Sequence, residues 1–184
     1  MLVRLLTAAV MAGLLFCSAT PSSAAPIYAD TLVASSNVTS FGSGLVTGAP
    51  DGGGLFLGST FDPPALLGSL TVGFAGGIVD GAGADLVVLD VASSALETFN
   101  VEVSTNGIAF TLLGQFNAVA NQIDLAGFGG VVHYVRLTNT SQAVSADIDA
   151  VYGNYAAAVP EPVTLSLLGL GLAGAFARRR KTTV

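Results

Sequence analysis

Hydrophobic residues alternate with small or polar ones along the middle of the chain, which is the period of a β-strand with one buried face. The alternation occurs in three segments: Leu70, Val72 and Phe74; Phe99, Val101 and Val103; and Val131, His133, Val135 and Leu137. A fourth run, from Leu86 to Val91, is apolar except for Asp90, as in a strand that is covered on both faces.

Glycine-rich segments separate these runs and predict turns, at residues 48–54, 76–83, 106–107 and 127–130. No segment of the middle sustains the 3.6-residue period of a capped helix. The pattern therefore predicts an all-β fold, a single antiparallel β-sandwich or jelly roll over residues 25–155.

The start of the chain, residues 1–24, has the pattern of a secretory signal peptide. Arg4 lies in a short charged lead, an apolar stretch follows from Leu5 to Phe16, and small residues end the segment. Ser22 and Ala24 suit the small-residue positions of a cleavage site, so we predict cleavage between Ala24 and Ala25. The apolar stretch is too short to span a bilayer well, which argues against a permanent anchor.

The C-terminus combines three features in order. Pro160, Glu161 and Pro162 precede an apolar run at residues 163–177, and a basic cluster follows it: Arg178, Arg179, Arg180 and Lys181. As a helix, the run would extend ~22 Å, less than the ~30 Å hydrocarbon core of a bilayer. Arginine stems can reach the interface, and the basic cluster should stay cytoplasmic. The sequence predicts a marginal transmembrane helix that anchors the chain at least transiently, with the acidic middle outside.

This order resembles the PEP-CTERM sorting signal, which has a Pro-Glu-Pro triplet, a Leu- and Gly-rich helix and a terminal Arg cluster. The resemblance covers residues 160–181 and leaves residues 156–159 as a short linker. It implies recognition by an exosortase, a membrane enzyme with a catalytic Cys, after delivery by the secretion machinery. It also implies a bacterium that makes extracellular polysaccharide, so that polysaccharide is a candidate partner. The alternative is an ordinary single-span anchor after a Pro-containing stalk.

Two segments of the middle resemble discoidin and galactose-binding-like domains, which are β-sandwiches. Residues 101–110 contain a strand, an Asn106-Gly107 turn and an aromatic strand with Phe110, and residues 134–138 resemble a later strand of the same group. Asn-Gly accepts positive φ and suits a tight hairpin. Phe110 stands where those domains often have Trp, and the chain contains no Trp. This departure argues against sugar binding on an aromatic platform.

Charge and cysteine content exclude several classes of function. Between residues 25 and 158, Arg136 is the only basic residue against eleven acidic ones, a formal charge of about −10. This field repels phosphate backbones and attracts cations, so no nucleic-acid partner is expected. Cys17 is the only cysteine and lies in the signal segment, so the mature chain would have no disulfide and no thiolate site.

An acidic glycine loop is the internal segment that points most clearly to a ligand. Asp80 and Asp85 flank Gly81-Ala82-Gly83-Ala84, so carboxylates and main-chain carbonyls could converge on a hard cation such as calcium. Asp147 and Asp149 would add ligands if the strands bring them near. The alternative is that Asp80 and Asp85 only organise turns through their side-chain oxygens.

His133 is the only histidine of the chain and is the candidate catalytic residue of a secreted hydrolase. Its place on the apolar side of an alternating strand favours a structural role instead. The sequence contains no Gly-x-Ser-x-Gly, His-Glu-x-x-His or P-loop motif. The sequence therefore predicts a non-enzymatic exported protein of the cell envelope or extracellular surface, with a binding or structural β-sandwich. The alternatives are a carbohydrate-binding module for exopolysaccharide and the hydrolase.

Overall fold

The structure is a computed structural model that describes residues 25–58, 67–92, 94–141 and 144–155. The described part forms two antiparallel sheets. One contains six strands: β1 (Ile27–Tyr28), β3 (Val38–Phe41), β4 (Gly54–Leu57), β6 (Leu86–Asp90), β9 (Gln122–Ile123) and β11 (Asp147–Gly153). The other contains five: β2 (Thr31–Ser36), β5 (Ser69–Ile78), β7 (Thr98–Ser104), β8 (Thr111–Asn117) and β10 (Val132–Asn139).

The strand order places β10 and β11 inside their sheets. The six-stranded sheet runs β3-β4-β11-β6-β9, with β1 also paired to β11, and the five-stranded sheet runs β2-β5-β10-β7-β8. Residues of both sheets belong to one hydrophobic cluster, so the inner faces pack on each other as in a β-sandwich. This confirms the predicted all-β class.

Alternation along the strands of the five-stranded sheet decides which side chains enter the core. Val135 pairs with Val72 on one side and with Val103 on the other, and all three are fully buried. The next inward row is Leu70, Leu137 and Val101. Since successive side chains point to opposite faces, the residues between them lie on the outer face of this sheet.

A β-bulge changes the prediction for His133. The pairing of β10 with β5 shifts between Val132 and Tyr134, which places His133 in the irregularity. Val132 is fully buried, whereas Val131 and His133 are only partly buried. The alternating pattern of Val131, His133 and Val135 was therefore wrong about which residue turns inward, because the pairing is irregular here: two residue steps of β10 face five of β5, from Gly73 to Ile78.

Two predicted turns also differ in the structure. Gly76 and Gly77 belong to β5, so the chain turns only after Ile78. The connection from β7 to β8 spans residues 105–110, so Asn106-Gly107 lies in a longer loop and not in a two-residue hairpin. Asn106 still organises the turn, since its Oδ1 accepts the amide hydrogens of Ile108 and Ala109 at 2.9 and 3.0 Å.

The predicted signal peptide, linker and sorting tail lie outside the described residues. Within the described ranges, no helix is long and apolar enough to cross a membrane.

Candidate functional site

The acidic loop between β5 and β6 is organised by one buried carboxylate. Asp85 is fully buried directly before β6. Its Oδ1 accepts the Gly81 amide hydrogen at 2.7 Å, and its Oδ2 accepts that of Leu125 at 2.8 Å. The carboxylate thus closes its own loop and ties that loop to the segment after β9, which is the turn-forming role that the sequence left open.

Asp124 joins the two predicted carboxylates. One carboxylate oxygen from each of Asp80, Asp85 and Asp124 lies within 4.8 Å of the others, with Asp80 and Asp124 exposed. Asp124 Oδ1 also accepts the Ala126 amide hydrogen at 2.8 Å. Three converging carboxylates supply part of the oxygen shell that calcium needs. Sequence reasoning missed Asp124, because only the pairing of β6 with β9 brings it to the loop.

Asp147 and Asp149 do not complete this group. Gly153 of β11 pairs with Leu86, whereas Ile148 pairs with Asp90, so Asp147 lies at the opposite end of β6 from Asp85. Asp149 accepts the amide hydrogens of Asp51 and Gly52 at 3.1 and 3.2 Å and stabilises the turn before β4. The antiparallel register therefore separates the four predicted ligands.

A second cluster of carboxyl groups occupies that opposite end: Asp90, Glu97 and Asp147. Asp90 and Glu97 are buried, and Asp90 Oδ2 accepts the Asp147 amide hydrogen at 2.8 Å. Burial, followed by repulsion from Asp90, raises the pKa of Glu97 to about 7. The same two causes raise the pKa of Asp147 to about 6. A side-chain hydrogen bond with Asp90 adds to the rise for Glu97, so the carboxyl groups of Glu97 and Asp147 titrate closer to neutral pH than isolated carboxyl groups do.

The outer face of the five-stranded sheet carries a cavity of about 520 Å³. Its walls include Asp30, Thr105, His133 and Tyr134, and Gly73 lies between them. His133 Nδ1 lies 3.0 Å from the Phe74 carbonyl oxygen. Because a carbonyl only accepts, this nitrogen must carry the hydrogen, which leaves Nε2 as an acceptor in the neutral ring. In a Ser-His-Asp triad, the corresponding nitrogen bonds a carboxylate instead.

Arg136 of β10 connects this strand to β7, and both strands belong to the segments that resemble discoidin domains. Its guanidinium makes two hydrogen bonds to the Glu102 carboxylate, at 2.6 and 2.7 Å, and lies 4.1 Å from the centre of the Phe110 ring. The hydrogen bonds from Arg136 lower the pKa of Glu102. The guanidinium therefore covers one face of the Phe110 ring.

Comparison with known proteins adds one specific match. Residues 158–181 match the family model of the PEP-CTERM protein-sorting motif. No curated protein matches the chain. Among solved structures, the chain is similar to the C-terminal domain of a chitobiase from Bacteroides fragilis, with 14% identity and a TM-score of 0.47, covering 70% of this chain and 94% of that one.

The fold establishes the structural class of the protein, and the C-terminal motif indicates its sorting. The described residues define an all-β protein with two antiparallel sheets around one core. The C-terminal motif confirms the predicted PEP-CTERM resemblance, and it indicates an exported protein that is sorted to the cell envelope or surface and processed by an exosortase.

Proposed function

We propose that this chain is a surface or matrix protein whose β-sandwich is displayed outside the cell and acts without catalysis, by binding or by a structural role. The observation that carries the proposal is the sorting motif at residues 158–181. Only residues 154–157 separate this motif from Gly153, the last residue of β11. The folded body and its sorting signal are thus immediate neighbours in sequence.

The two ends of the sandwich support the proposal. Ile27 pairs with Gly153 and Tyr28 with Tyr152, so the strand that follows the predicted cleavage site lies beside the strand that leads to the sorting tail. Both termini therefore leave the body at the same place. A body with this arrangement can be held at the membrane by either end without rearranging its core.

The non-enzymatic part of the proposal is supported by the surroundings of His133. Its Nδ1 is hydrogen-bonded to a main-chain carbonyl, and this bond orients the ring without a carboxylate. The carboxyl groups with raised pKa, Glu97 and Asp147, lie at the end of β6 near Asp90, and the cavity that contains His133 is lined by other residues.

Intact-mass spectrometry of the exported protein tests the proposal. We expect the wild-type chain to begin at Ala25 and to lack residues 178–184, because the exosortase removes the basic end of the tail. The double variant Pro160→Ala, Pro162→Ala should keep that end and accumulate in the membrane fraction. Thr182→Ser, which lies outside the matched motif, is the control and should be processed normally. Full-length wild-type protein in the cytosol, with Met1 retained, would refute the proposal.

A further inference from the structure

We propose that the cavity on the outer face of the five-stranded sheet binds a neutral saccharide unit, with Tyr134 against the ring and Asp30, Thr105 and His133 around it. This inference rests on the proposed display of the sandwich outside the cell. It names a ligand class for the binding role in that proposed function.

The size of the cavity and the missing side chain at its floor suit a single sugar ring. The volume of about 520 Å³ lies within the ~300–1,000 Å³ range of small-molecule sites. Gly73 sits inside strand β5, where glycine is unfavourable and often marks a close approach by a ligand or another chain. A Cβ at Gly73 would lie 3.4 Å from Val33 and 3.8 Å from Tyr134. The glycine thus leaves a depression between these two side chains.

The aromatic wall is held in place. Tyr134 pairs with Gly73 across the sheet, and a Cβ at Gly107 would lie 3.3 Å from its ring. The loop after β7 therefore packs against one part of the ring, while Gly73 leaves space beside another. A fixed aromatic ring loses little conformational freedom when an apolar sugar face packs on it.

The polar groups of the cavity are mainly acceptors. Asp30 is fixed by two hydrogen bonds, because its Oδ2 accepts the Ala75 amide hydrogen at 2.6 Å and its Oδ1 accepts the Thr31 hydroxyl at 2.7 Å. Each carboxylate oxygen retains a further lone pair. In its neutral form the His133 ring adds Nε2 as an acceptor, and the Thr105 hydroxyl can donate or accept.

This set of groups selects against negatively charged ligands. Neither Lys nor Arg is among the described residues that line the cavity, and Asp30 together with the negative body repels anions. A ligand that supplies several hydroxyl donors and one apolar face satisfies both the acceptors and Tyr134. A neutral saccharide has this chemistry.

Saturation-transfer NMR on the exported protein tests the inference with the methyl glycosides of glucose, galactose, mannose and N-acetylglucosamine. We expect transfer to at least one of them, and weaker transfer to glucuronic acid. Gly73→Ala should weaken binding about tenfold, since one added methyl group in a pocket has an effect of that order. Its Cβ makes ordinary contacts, so the variant should fold.

Gly76→Ala is the matched control, because it lies in the same strand and its Cβ would meet nothing within 4 Å. Equal binding by the two variants would place the ligand elsewhere and overturn the inference. Transfer to glucosamine alone would show a cation site at Asp30 and would also overturn it. Absence of transfer to all four glycosides would do the same, while the C-terminal mass of the same preparation would still report separately on the sorting proposal.

Discussion

The two ends of strand β6 each carry a buried Asp beside two further carboxyl groups, but these neighbours are exposed at one end and at least partly buried at the other. At its start, buried Asp85 accepts amide hydrogens from Gly81 and Leu125. At its end, Asp90 lies beside two further carboxyl groups, Glu97 and Asp147, and both have raised pKa values. At both ends a buried Asp accepts main-chain amide hydrogens, so the difference lies in its neighbours: Asp80 and Asp124 are exposed, whereas burial, followed by repulsion from Asp90, raises the pKa values of Glu97 and Asp147.

Removal of the Asp85 carboxylate should have the largest effect. Asp85→Ala leaves the buried Leu125 amide without its acceptor and opens a cavity, so we expect a loss of about 3 kcal/mol in the free energy of unfolding, measured by urea denaturation. Exposed Asp80→Ala is the control and should change it by less than ~0.5 kcal/mol. Equal losses would contradict the assigned role of Asp85.

Glu97 should make stability depend on pH in the opposite direction from an ordinary ion-paired acid. Its folded pKa, about 7, lies above the ordinary value of 4.5, so its contribution is complete below pH ~4.5 and is lost as the pH rises through 7. We expect the loss to be on the order of 2 kcal/mol between pH 5 and 8. Glu97→Gln should flatten this dependence in thermal unfolding curves. An unchanged pH profile in the variant would show that Glu97 is not the group responsible.

A third experiment tests whether calcium binds at the Asp85 end of strand β6 and not at the Asp90 end. If the loop binds calcium, millimolar calcium should raise the melting temperature by a few degrees, as ligand binding worth about 1 kcal/mol would. Asp124→Asn should remove this rise, whereas Asp147→Asn, at the far end, should leave it unchanged. No rise in the wild-type protein would refute the calcium prediction and leave Asp85 with its structural role.

Arg136 offers a third carboxyl environment, in which a cation faces Glu102. Arg136→Lys keeps the charge but loses the two-point hydrogen bonding and the stacking on Phe110. Because the pair is partly exposed, we expect a loss of only about 0.5–1 kcal/mol, measured by urea denaturation at pH 7. Glu102→Gln should cost a similar amount. A loss as large as that of Asp85→Ala would show that the pair is a core element.

The strand pattern made the fold class predictable. It did not predict the irregularity at His133 or the position of Asp124 in the carboxylate cluster. Leu70, Val72 and Val101 alternate as the sequence predicts and are buried. The irregularity at His133 was not predictable, because the register shift is visible only against the partner strand. Asp124 was missed for the same reason, since it is distant in sequence from Asp80 and Asp85.

The sequence by itself determined the all-β class and the C-terminal sorting motif, because both depend on local patterns: the two-residue period of strands and a contiguous run of residues. The tertiary structure alone decided which carboxyl groups meet and where Gly73, Tyr134 and Asp30 form a cavity. These features depend on strand register, which joins residues far apart in the chain and which no local pattern records.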